Sequence, residues 1–260
     1  MKLVALPAFS DNYIWMLHDG RRAVVVDPGD AAPVQAALEH DDLVLAAILV
    51  THHHPDHVGG VDALRALLKG PVYGPAREAI PRPFTPLAGG EHVDVLGLDF
   101  EVIDVPGHTA GHIAYAQRGG AAAPILFCGD TLFSAGCGRL FEGTPAQMAD
   151  SLARLNALPG DTQVCCTHEY TLSNLRFAAA VEPGNADIAA YAETCRRLRE
   201  AGRPTLPSSL ALERRVNPFL RCSVPEVAAA ARSHDGRHDA TGRDAVATLA
   251  ALREWKNHYR

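Results

Sequence analysis

The sequence predicts an α/β protein that carries a separate α-helical domain at its C-terminus. Residues 1–170 alternate short β-rich runs with turns and a few helices, a pattern typical of sheets covered by helices. Beyond Tyr170 the pattern predicts a series of helices separated by breaks rich in Pro and Gly. We therefore expect an α/β domain over residues 1–170 and an α-helical domain over residues 171–260.

Short apolar runs bounded by Gly, Pro and Asp predict the strands. The first half contains expected strands at 2–6, 13–17, 23–26, 43–50, 71–73 and 98–105. Helices are expected there at 34–38 and 58–69, and the Pro-rich segment 80–86 is expected to be irregular. The layout then repeats, with strands at 112–116, 124–128 and 163–166 and a helix at 145–158 that has Thr144 as its N-cap. The later helices are expected at 172–181, 186–201, 224–232 and 243–255.

Four of the expected strands end in histidine or aspartate. The strand 43–50 is followed directly by the turn Thr51-His52-His53-His54-Pro55-Asp56-His57, and later strand ends supply His108, Asp130 and His168. Because open α/β sheets carry their sites at the carboxyl ends of strands, we expect these side chains to meet. A surface turn that happens to be rich in histidine would not explain the same residue types at three further strand ends.

The turn and the three later strand ends supply seven candidate metal ligands. These form two sets that are joined by one carboxylate. The first set contains three histidines: His52, His54 and His108. The second set combines a carboxylate with two imidazoles: Asp56, His57 and His168. Asp130 is suited to bridge the sets, because a carboxylate has two oxygens. Imidazole and carboxylate together suit first-row metals, so we expect two Zn ions, although Fe and Mn accept the same ligands.

A pair of such ions predicts hydrolytic chemistry. Two-metal sites hold their ions roughly 3.5–4 Å apart, and a water shared between them loses a proton near neutral pH. The expected nucleophile is a metal-bridging hydroxide, and we count Asp56 and Asp130 among the catalytic residues. A purely structural zinc is disfavoured, because structural sites are usually closed by cysteines and this set contains none.

Some polar residues near the turn keep alternative interpretations. His53 is expected to pack beside the site without binding metal. The remaining histidines are expected to be ordinary surface or core residues: His18, His40, His92, His112, His234, His238 and His258. Asp27 ends a strand, so it could orient a ligand histidine or cap the helix that follows. Gly59-Gly60 are expected to let a helix pack closely behind the turn.

Composition restricts the classes of function. The chain has 260 residues, of which 47% are apolar and 21% charged, as in an ordinary globular protein. Its net charge of -6 argues against nucleic-acid binding, and no run approaches the length of a membrane span. Six cysteines without a Cys-x-x-Cys pair indicate reduced thiols. We expect a cytoplasmic monomer that acts on a small molecule.

The motifs around the expected ligands resemble those of the metallo-β-lactamase superfamily. The turn Thr51 to Gly60 looks like its signature, and the segments 106–109, 129–133 and 167–170 fall where its later ligands fall. Further segments resemble the hydroxyacylglutathione hydrolase (glyoxalase II) family: 10–15, 136–143, 169–171, 174–175, 204–209, 213 and 217–221. The resemblance runs nearly end to end.

This resemblance implies an αββα sandwich, the metallo-β-lactamase fold, with a C-terminal helical domain that binds substrate. The implied reaction is hydrolysis of S-D-lactoylglutathione to glutathione and D-lactate, the second step of methylglyoxal disposal. Four residues are implied contacts of glutathione by their positions: Arg139, Tyr170, Arg253 and Lys256. The sequence departs from the pattern at Phe141, where many relatives have tyrosine. The missing hydroxyl is expected to weaken binding by about 0.5–1.5 kcal/mol.

The pattern of the last helix agrees with a binding role for its two cations. Val246, Leu249 and Leu252 form an apolar stripe at helical spacing, and Arg253 and Lys256 lie at its edge. A solvated basic helix end would show the same pattern, because cations stabilise helix C-termini.

Other functions resemble the leading one in part. Persulfide dioxygenases look similar around the first ligands, so a mononuclear-iron glutathione persulfide dioxygenase is the alternative function. The helical tail and its basic pair argue against it. A β-lactamase or a lactonase would leave the C-terminal domain without a role.

Overall fold

Two six-stranded sheets stacked face to face form the centre of the molecule. The computed structural model describes residues 1–117, 123–236 and 244–259. His238 and residue 243, the expected start of the last helix, lie outside the described residues. Helices cover the stacked sheets, which confirms the expected αββα sandwich with a helical C-terminal part.

The first sheet is built from the N-terminal third of the chain. Its strands, in spatial order, are β1 (Lys2–Ala8), β2 (Asn12–His18), β3 (Arg22–Val26), β4 (Val44–Leu49), β5 (Val72–Pro75) and β6 (Thr85–Leu87). The first three run antiparallel, and β3 to β6 run parallel. The helices of this region are α1 (Ala31–His40), α2 (Pro55–Val58) and α3 (Val61–Leu64).

Strand β2 shows why this sheet is buried on both faces. Tyr13, Trp15 and Leu17 belong to the core between the sheets. Ile14 and Met16 point the other way, into a cluster with α1 and α3. Because side chains alternate along a strand, a run that is apolar throughout must be covered on both sides.

The second sheet follows in the middle of the chain. The elements here are β7 (His92–Val95), β8 (Leu98–Asp104), β9 (Ile113–Gln117), β10 (Ile125–Gly129), β11 (Leu132–Phe133), β12 (Gly136–Cys137), α4 (Pro145–Asn156), β13 (Gln163–Cys166) and β14 (Ser208–Ser209). The spatial order is β14-β13-β10-β9-β8-β7, and β11 and β12 form a separate hairpin. Strands β10 and β13 run parallel, so their carboxyl ends meet at one edge.

The C-terminal part is helical, as expected, and it packs against the sandwich. Its helices are α5 (Thr171–Val181), α6 (Ala186–Glu200), α7 (Leu210–Val216), α8 (Pro225–Asp235) and α9 (Ala245–His258). Apolar residues of α8 and α9 belong to the same hydrophobic cluster as α4 and the sheets. Ala135 of the β11–β12 hairpin is buried in a cluster with α5, α6 and α7. None of the described helices has the length and apolar composition needed to cross a membrane.

The expected helix 58–69 is wrong, because the chain forms two single-turn helices interrupted at Gly59 and Gly60. A Cβ on Gly59 would lie 2.6 Å from the Gly29 carbonyl oxygen, and one on Gly60 would lie 2.6 Å from the Ala31 nitrogen. The expected close packing at these two glycines is therefore confirmed, although the chain at this point is not a continuous helix.

Other local expectations had mixed outcomes. Thr144 caps α4 in a capping box with Gln147, as expected. The segment 80–86 is not wholly irregular, since β6 begins within it and pairs with β5. The short strands β7, β11, β12 and β14 and the helix α7 were not expected from the sequence, because each is short and offers little periodicity.

Candidate active site

The expected ligands of the first set meet at the edge shared by the two sheets. The Nδ1 atom of His54 lies 3.1 Å from Nε2 of His52 and 3.1 Å from Nε2 of His108. Zn–N bonds of about 2.0–2.1 Å at a tetrahedral ion place neighbouring ligand atoms about 3.3 Å apart. The three-histidine set (His52, His54, His108) therefore has the spacing of ligands around one ion.

The second set lies next to the first. Oδ2 of Asp56 is 3.6 Å from Nε2 of His57 and 3.5 Å from Nε2 of His168. The carboxylate set (Asp56, His57, His168) thus also converges on one point, and its ligand atoms lie within 4.8 Å of one another.

Asp130 reaches both sets. Its Oδ2 lies 3.4 Å from Nε2 of His108 in the first set and 3.3 Å from Nε2 of His168 in the second. Its Oδ1 lies 3.5 Å from Nε2 of His57. The carboxylate is therefore placed where a residue shared by two ions has to stand.

Hydrogen bonds to the outer ring nitrogens orient two of these histidines. Nδ1 of His108 lies 2.8 Å from the carbonyl oxygen of Arg139, to which it can only donate. Nδ1 of His168 donates to Oδ1 of Asp11 over 2.8 Å. In both rings the Nε2 lone pair is left facing the site, as in histidines that bind metals.

Asp27 contacts and orients residues of the turn 51–57 in a similar way. It accepts hydrogen bonds from the Thr51 nitrogen and hydroxyl over 2.7 and 2.8 Å, and it lies 3.1 Å from Nδ1 of His57. The Thr51 oxygen is left to accept from Nδ1 of His52, 3.1 Å away. Of the two interpretations of Asp27, the structure supports orientation of ligands. The cap of α1 is Asp30, which accepts from the Ala32 nitrogen.

Two buried atoms without hydrogen-bond partners indicate that the site fits a divalent cation. Nε2 of His57 and Oδ1 of Asp130 are buried, and neither makes a hydrogen bond within the described part of the chain. Buried polar atoms without a partner are rare and costly, so an unpaired nitrogen and an unpaired oxygen that face each other call for an occupant. Imidazole and carboxylate donors together suit a first-row metal ion.

Protonation differs between the two sets. Burial lowers the ring pKa values throughout the three-histidine set, so these imidazoles are neutral, which is the form that binds metal. Burial also lowers the pKa of His57, but Asp130 and Asp27 outweigh it and raise that pKa well above its usual value. Asp130 likewise raises the pKa of His168. Burial would raise the pKa of Asp130, but the nearby His57 and His168 rings hold it well below its usual value.

A cleft of about 550 Å³ opens beside the expected metal ligands. His108 and Asp130 belong to its lining, and we name the group of expected ligands to which they belong the metal end. The other end is lined by three cations that we name the cationic end: Arg139, Arg253 and Lys256. Tyr170 also lines the cleft, so all four residues implied to contact substrate share one cavity with two of the expected metal ligands.

The cations of the cationic end have neutral partners. Arg253 is 7% exposed and donates from Nη1 to the Cys137 carbonyl oxygen over 2.8 Å. Lys256 donates to the Ser173 hydroxyl over 3.2 Å. Burial and the neighbouring arginines, Arg253 first among them, lower the pKa of Lys256 to about 8. Crowded cations that repel one another favour an anionic ligand.

Two aromatic rings cover the histidines of the metal end. The Tyr170 ring stacks on His168, with centroids 4.7 Å apart and planes 4° apart. Phe141 is 62% exposed, and its ring meets His54 and His108 edge to face at 5.6 and 5.2 Å. Phe141 therefore packs on two expected ligands in addition to facing the cleft.

Three partners of the site were not found from the sequence pattern: Asp11, Glu78 and His112. His53 packs beside the site, with its ring edge to face on His54 at 5.1 Å, and both its backbone nitrogen and its ring bond to Glu78. Glu78 also accepts from Thr109 beside His108, so it joins two ligand turns. His112 stacks on His52 at 4.5 Å and accepts from the Asp130 nitrogen over 3.2 Å. Glu78 follows no long strand, and Asp11 lies in a turn, so neither gave the strand-end signal.

Family models match nearly the whole chain. Residues 9–168 match the metallo-beta-lactamase superfamily, and residues 169–259 match the model described as hydroxyacylglutathione hydrolase C-terminus. Among solved structures, ETHE1 from Myxococcus xanthus has a TM-score of 0.65 with 26% identity over 98% of this chain and 100% of that one. TTHA1623 in a di-iron-bound form has a TM-score of 0.58 with 30% identity over 85% and 100% of the two chains.

Curated relatives agree with the second family model. A protein of Albidiferax ferrireducens named hydroxyacylglutathione hydrolase is 59% identical over 259 residues, with both chains covered completely. A protein of Pseudomonas aeruginosa with the same name is 58% identical over 262 residues, again over the full length of both. The chain, an α/β sandwich with a metal-type donor set and a helical C-terminal part, belongs to the hydroxyacylglutathione hydrolase family of the metallo-β-lactamase superfamily.

Proposed function

We propose that this protein hydrolyses S-D-lactoylglutathione to glutathione and D-lactate with two divalent metal ions. The observation that carries the proposal is the single cleft that runs from the expected metal ligands to three cations. A glutathione thioester needs both features, because it presents carboxylates at its peptide end and a thioester carbonyl some distance away. The full-length relatives that are named hydroxyacylglutathione hydrolase support the same substrate.

The donor sets would hold the metals. The three-histidine set would bind one ion, the carboxylate set the other, and Asp130 would serve both. When bound, such ions supply a hydroxide at neutral pH and polarise the thioester carbonyl. We propose Zn for both positions, and iron is the ion to test against it, because one structural neighbour has a di-iron-bound form.

The chain's own residues hold the reacting geometry. Asp11 and the Arg139 carbonyl bond to the outer ring nitrogens of His168 and His108, and Asp27 lies 3.1 Å from that of His57, so the Nε2 atoms already face the site. Preorganised groups of this kind lower a barrier because they need not rearrange during the reaction. Phe141 and Tyr170 pack on the rings of expected ligands and so help to fix their orientation.

The cationic end would bind the peptide part of the substrate. Arg253 and Lys256 would pair with the glycine carboxylate, and Arg139 would add a third positive charge. Because these residues do not touch the thioester, their contribution is to orient and retain the substrate. Tyr170, half-exposed between the two ends, would donate a hydrogen bond to the tripeptide.

The proposal extends to the domain division, the location and the oligomeric state of the protein. We infer that the chain divides near residue 170 into a catalytic and a substrate-binding domain, which the ranges of the two family models support. We infer a cytoplasmic setting, which the six buried free thiols support. We also infer a monomer, since one chain supplies every residue assigned to the cleft.

The test combines metal content with rate. Elemental analysis of the purified protein is expected to give two divalent ions per chain, and the same sample is expected to hydrolyse S-D-lactoylglutathione. Removal of the metal by a chelator should abolish the rate, and added Zn should restore it. A single iron per chain, with oxygen consumption on glutathione persulfide and no thioesterase rate, would establish the dioxygenase alternative instead.

A further inference from the structure

The hairpin β11–β12 connects the two ends of the cleft. It begins two residues after Asp130, an expected bridging ligand, and ends two residues before Arg139. The Arg139 carbonyl accepts the hydrogen bond that orients His108. Phe133 and Cys137 of the hairpin also line the cleft. A shift of this hairpin would therefore disturb the metal end and the cationic end together.

The hairpin is held by side chains of the C-terminal helices. Asn217 donates from Nδ2 to the carbonyl oxygens of Phe133 and Gly136 over 3.0 and 2.9 Å. Asn174 of α5 donates to the carbonyl oxygen of Ser134 over 3.0 Å. Arg253 of α9 donates to that of Cys137. A hairpin normally forms hydrogen bonds with the strands of a sheet. Here the backbone carbonyls of residues 133, 134, 136 and 137 accept hydrogen bonds from side chains of residues much later in the chain.

Glu213 of α7 completes this set of contacts from a fully buried position. Its carboxylate accepts from the Ala135 nitrogen over 2.8 Å, from the Ser134 hydroxyl over 3.0 Å and from Asn217 over 3.1 Å. It is 0% exposed. Burying a carboxylate costs free energy unless the carboxylate accepts hydrogen bonds. Two of these three donors belong to the hairpin, and the third, Asn217, donates to the hairpin carbonyls.

The backbone of the hairpin needs such support. Ala135 has a φ of 54°, in the left-handed region that a residue with a Cβ seldom adopts. Its nitrogen is the atom that donates to Glu213. A Cβ on the next residue, Gly136, would lie 2.5 Å from Nδ2 of Asn174, so the hairpin is pressed against α5.

We propose that Glu213 and Asn217 are positioning residues that hold the β11–β12 hairpin, and through it Asp130 and the Arg139 carbonyl, in the geometry that metal binding and hydrolysis require. The C-terminal helices then do more than bind substrate, since they also set the metal site. This inference rests on the proposed function for its kinetic readout and is independent of it for its metal-retention readout.

The neighbouring residue Arg214 provides a matched control. It lies on the same helix and makes three hydrogen bonds to Asn156 and Leu158 at the end of α4, none of them to the hairpin. Arg214→Met should lower Tm but leave kcat/KM and metal release unchanged. Glu213→Met should lower kcat/KM by about tenfold or more and speed the loss of metal to a chelator, because buried donors lose their acceptor.

A conservative substitution separates positioning from charge. The amide oxygen of Glu213→Gln can accept from Ala135 and Asn217, while its nitrogen donates to Ser134, whose hydroxyl can turn to Tyr191 at 2.9 Å. Glu213→Gln is therefore expected to keep kcat/KM and metal release within about twofold of wild type. A Glu213→Met protein with wild-type values for both, or an Arg214→Met protein with the same losses, overturns the proposal.

Two further measurements keep the test decisive. If Glu213→Met does not fold, Asn217→Ser removes the same carbonyl contacts and leaves Glu213 in place, with the same expected losses. Hydrogen exchange of the wild type needs no variant: the Ala135 amide is expected to exchange as slowly as the amides of α7. Fast exchange at Ala135 beside a slow α7 overturns the proposal. A wild type without activity on lactoylglutathione contradicts the proposed function and leaves the metal-retention comparison intact.

Discussion

The metal end and the cationic end of the cleft are built by different means. The metal end consists of side chains that follow β4, β8, β10 and β13, and most of its histidines are buried. The cationic end combines Arg139, which follows the β11–β12 hairpin, with Arg253 and Lys256 of α9. The expected ligands thus follow strand ends, whereas two of the three cations lie on a helix of the C-terminal part, whose neighbours also hold the β11–β12 hairpin. The difference separates what the protein does from which molecule it acts on.

The two ends also differ in charge. At the metal end, Asp130 and Asp56 stand among histidines, which suits cations. At the cationic end, the described partners of Arg253 and Lys256 are neutral oxygens, which leaves their positive charges for an anionic ligand. We therefore expect changes at the metal end to act on kcat and metal content, and changes at the cationic end to act on KM.

Asp130→Ala should have the largest effect. Loss of the shared carboxylate is expected to release both metals and to lower kcat by roughly a thousandfold or more, because the activated nucleophile is lost. Elemental analysis and steady-state rates measure the two effects, with the surface variant Asp150→Ala as control. Binding of glutathione, measured by calorimetry, should change little, since the cationic end is left intact. Full activity with one metal per chain would contradict the bridging role.

Arg253→Ala should act on the other end. Loss of a charged hydrogen-bond donor is expected to raise KM for S-D-lactoylglutathione roughly ten- to hundredfold. The metal content should stay at the wild-type value and kcat should change far less than KM. Arg197→Ala, an exposed arginine of α6, is the control. An unchanged KM would remove Arg253 from the binding site, and a loss of metal would show that the two ends are not separable there.

The pH dependence of KM should report Lys256. Its pKa in the free protein is about 8, and the anionic substrate binds its protonated form more tightly. As the pH rises through about 8, Lys256 loses its proton, so KM should increase while kcat follows the metal end alone. Lys256→Arg stays charged over this range and should give a flat KM. The same rise in KM in Lys256→Arg would assign it to another group.

Phe141→Tyr should have the smallest effect and the opposite sign. The added hydroxyl is expected to lower KM by roughly two- to tenfold through one hydrogen bond to the peptide. Because the ring still packs on His54 and His108, kcat and metal content should not change. Phe141→Leu, which removes the ring without adding a hydroxyl, is the companion variant. A KM in Phe141→Tyr equal to that of wild type would show that this position does not face the peptide.

Much of the metal end could be predicted from the sequence. Strong apolar runs mark β4, β8 and β10, and the residue types that follow them are those that bind metals. The structure brings all seven expected ligands together, although their binding of metal stays a prediction until the metal is measured. The sequence left two roles open for Asp27, orienting a ligand histidine or capping a helix. Its distances to Thr51 and His57 in the structure decided in favour of orientation.

The residues that support the site could not be predicted in the same way. Asp11 lies more than 150 positions before its partner His168, and Glu78 reaches His53 and Thr109 from a loop without periodicity. A hydrogen bond between distant residues leaves no local pattern, because it depends on how the sheets stack. The close approach of Gly59 to Gly29 was missed for the same reason, because the two residues lie on different segments of the chain.

The sequence by itself determined the fold class, the seven expected ligands and the family, because strand periodicity and ligand chemistry are local properties of the chain. Only the tertiary structure decided how those ligands are oriented and what holds the β11–β12 hairpin. Glu213 and Asn217 lie at separations of 78 to 84 positions from the residues they hold. Their role is created by packing, which brings the C-terminal helices against a hairpin that the sequence pattern does not reveal.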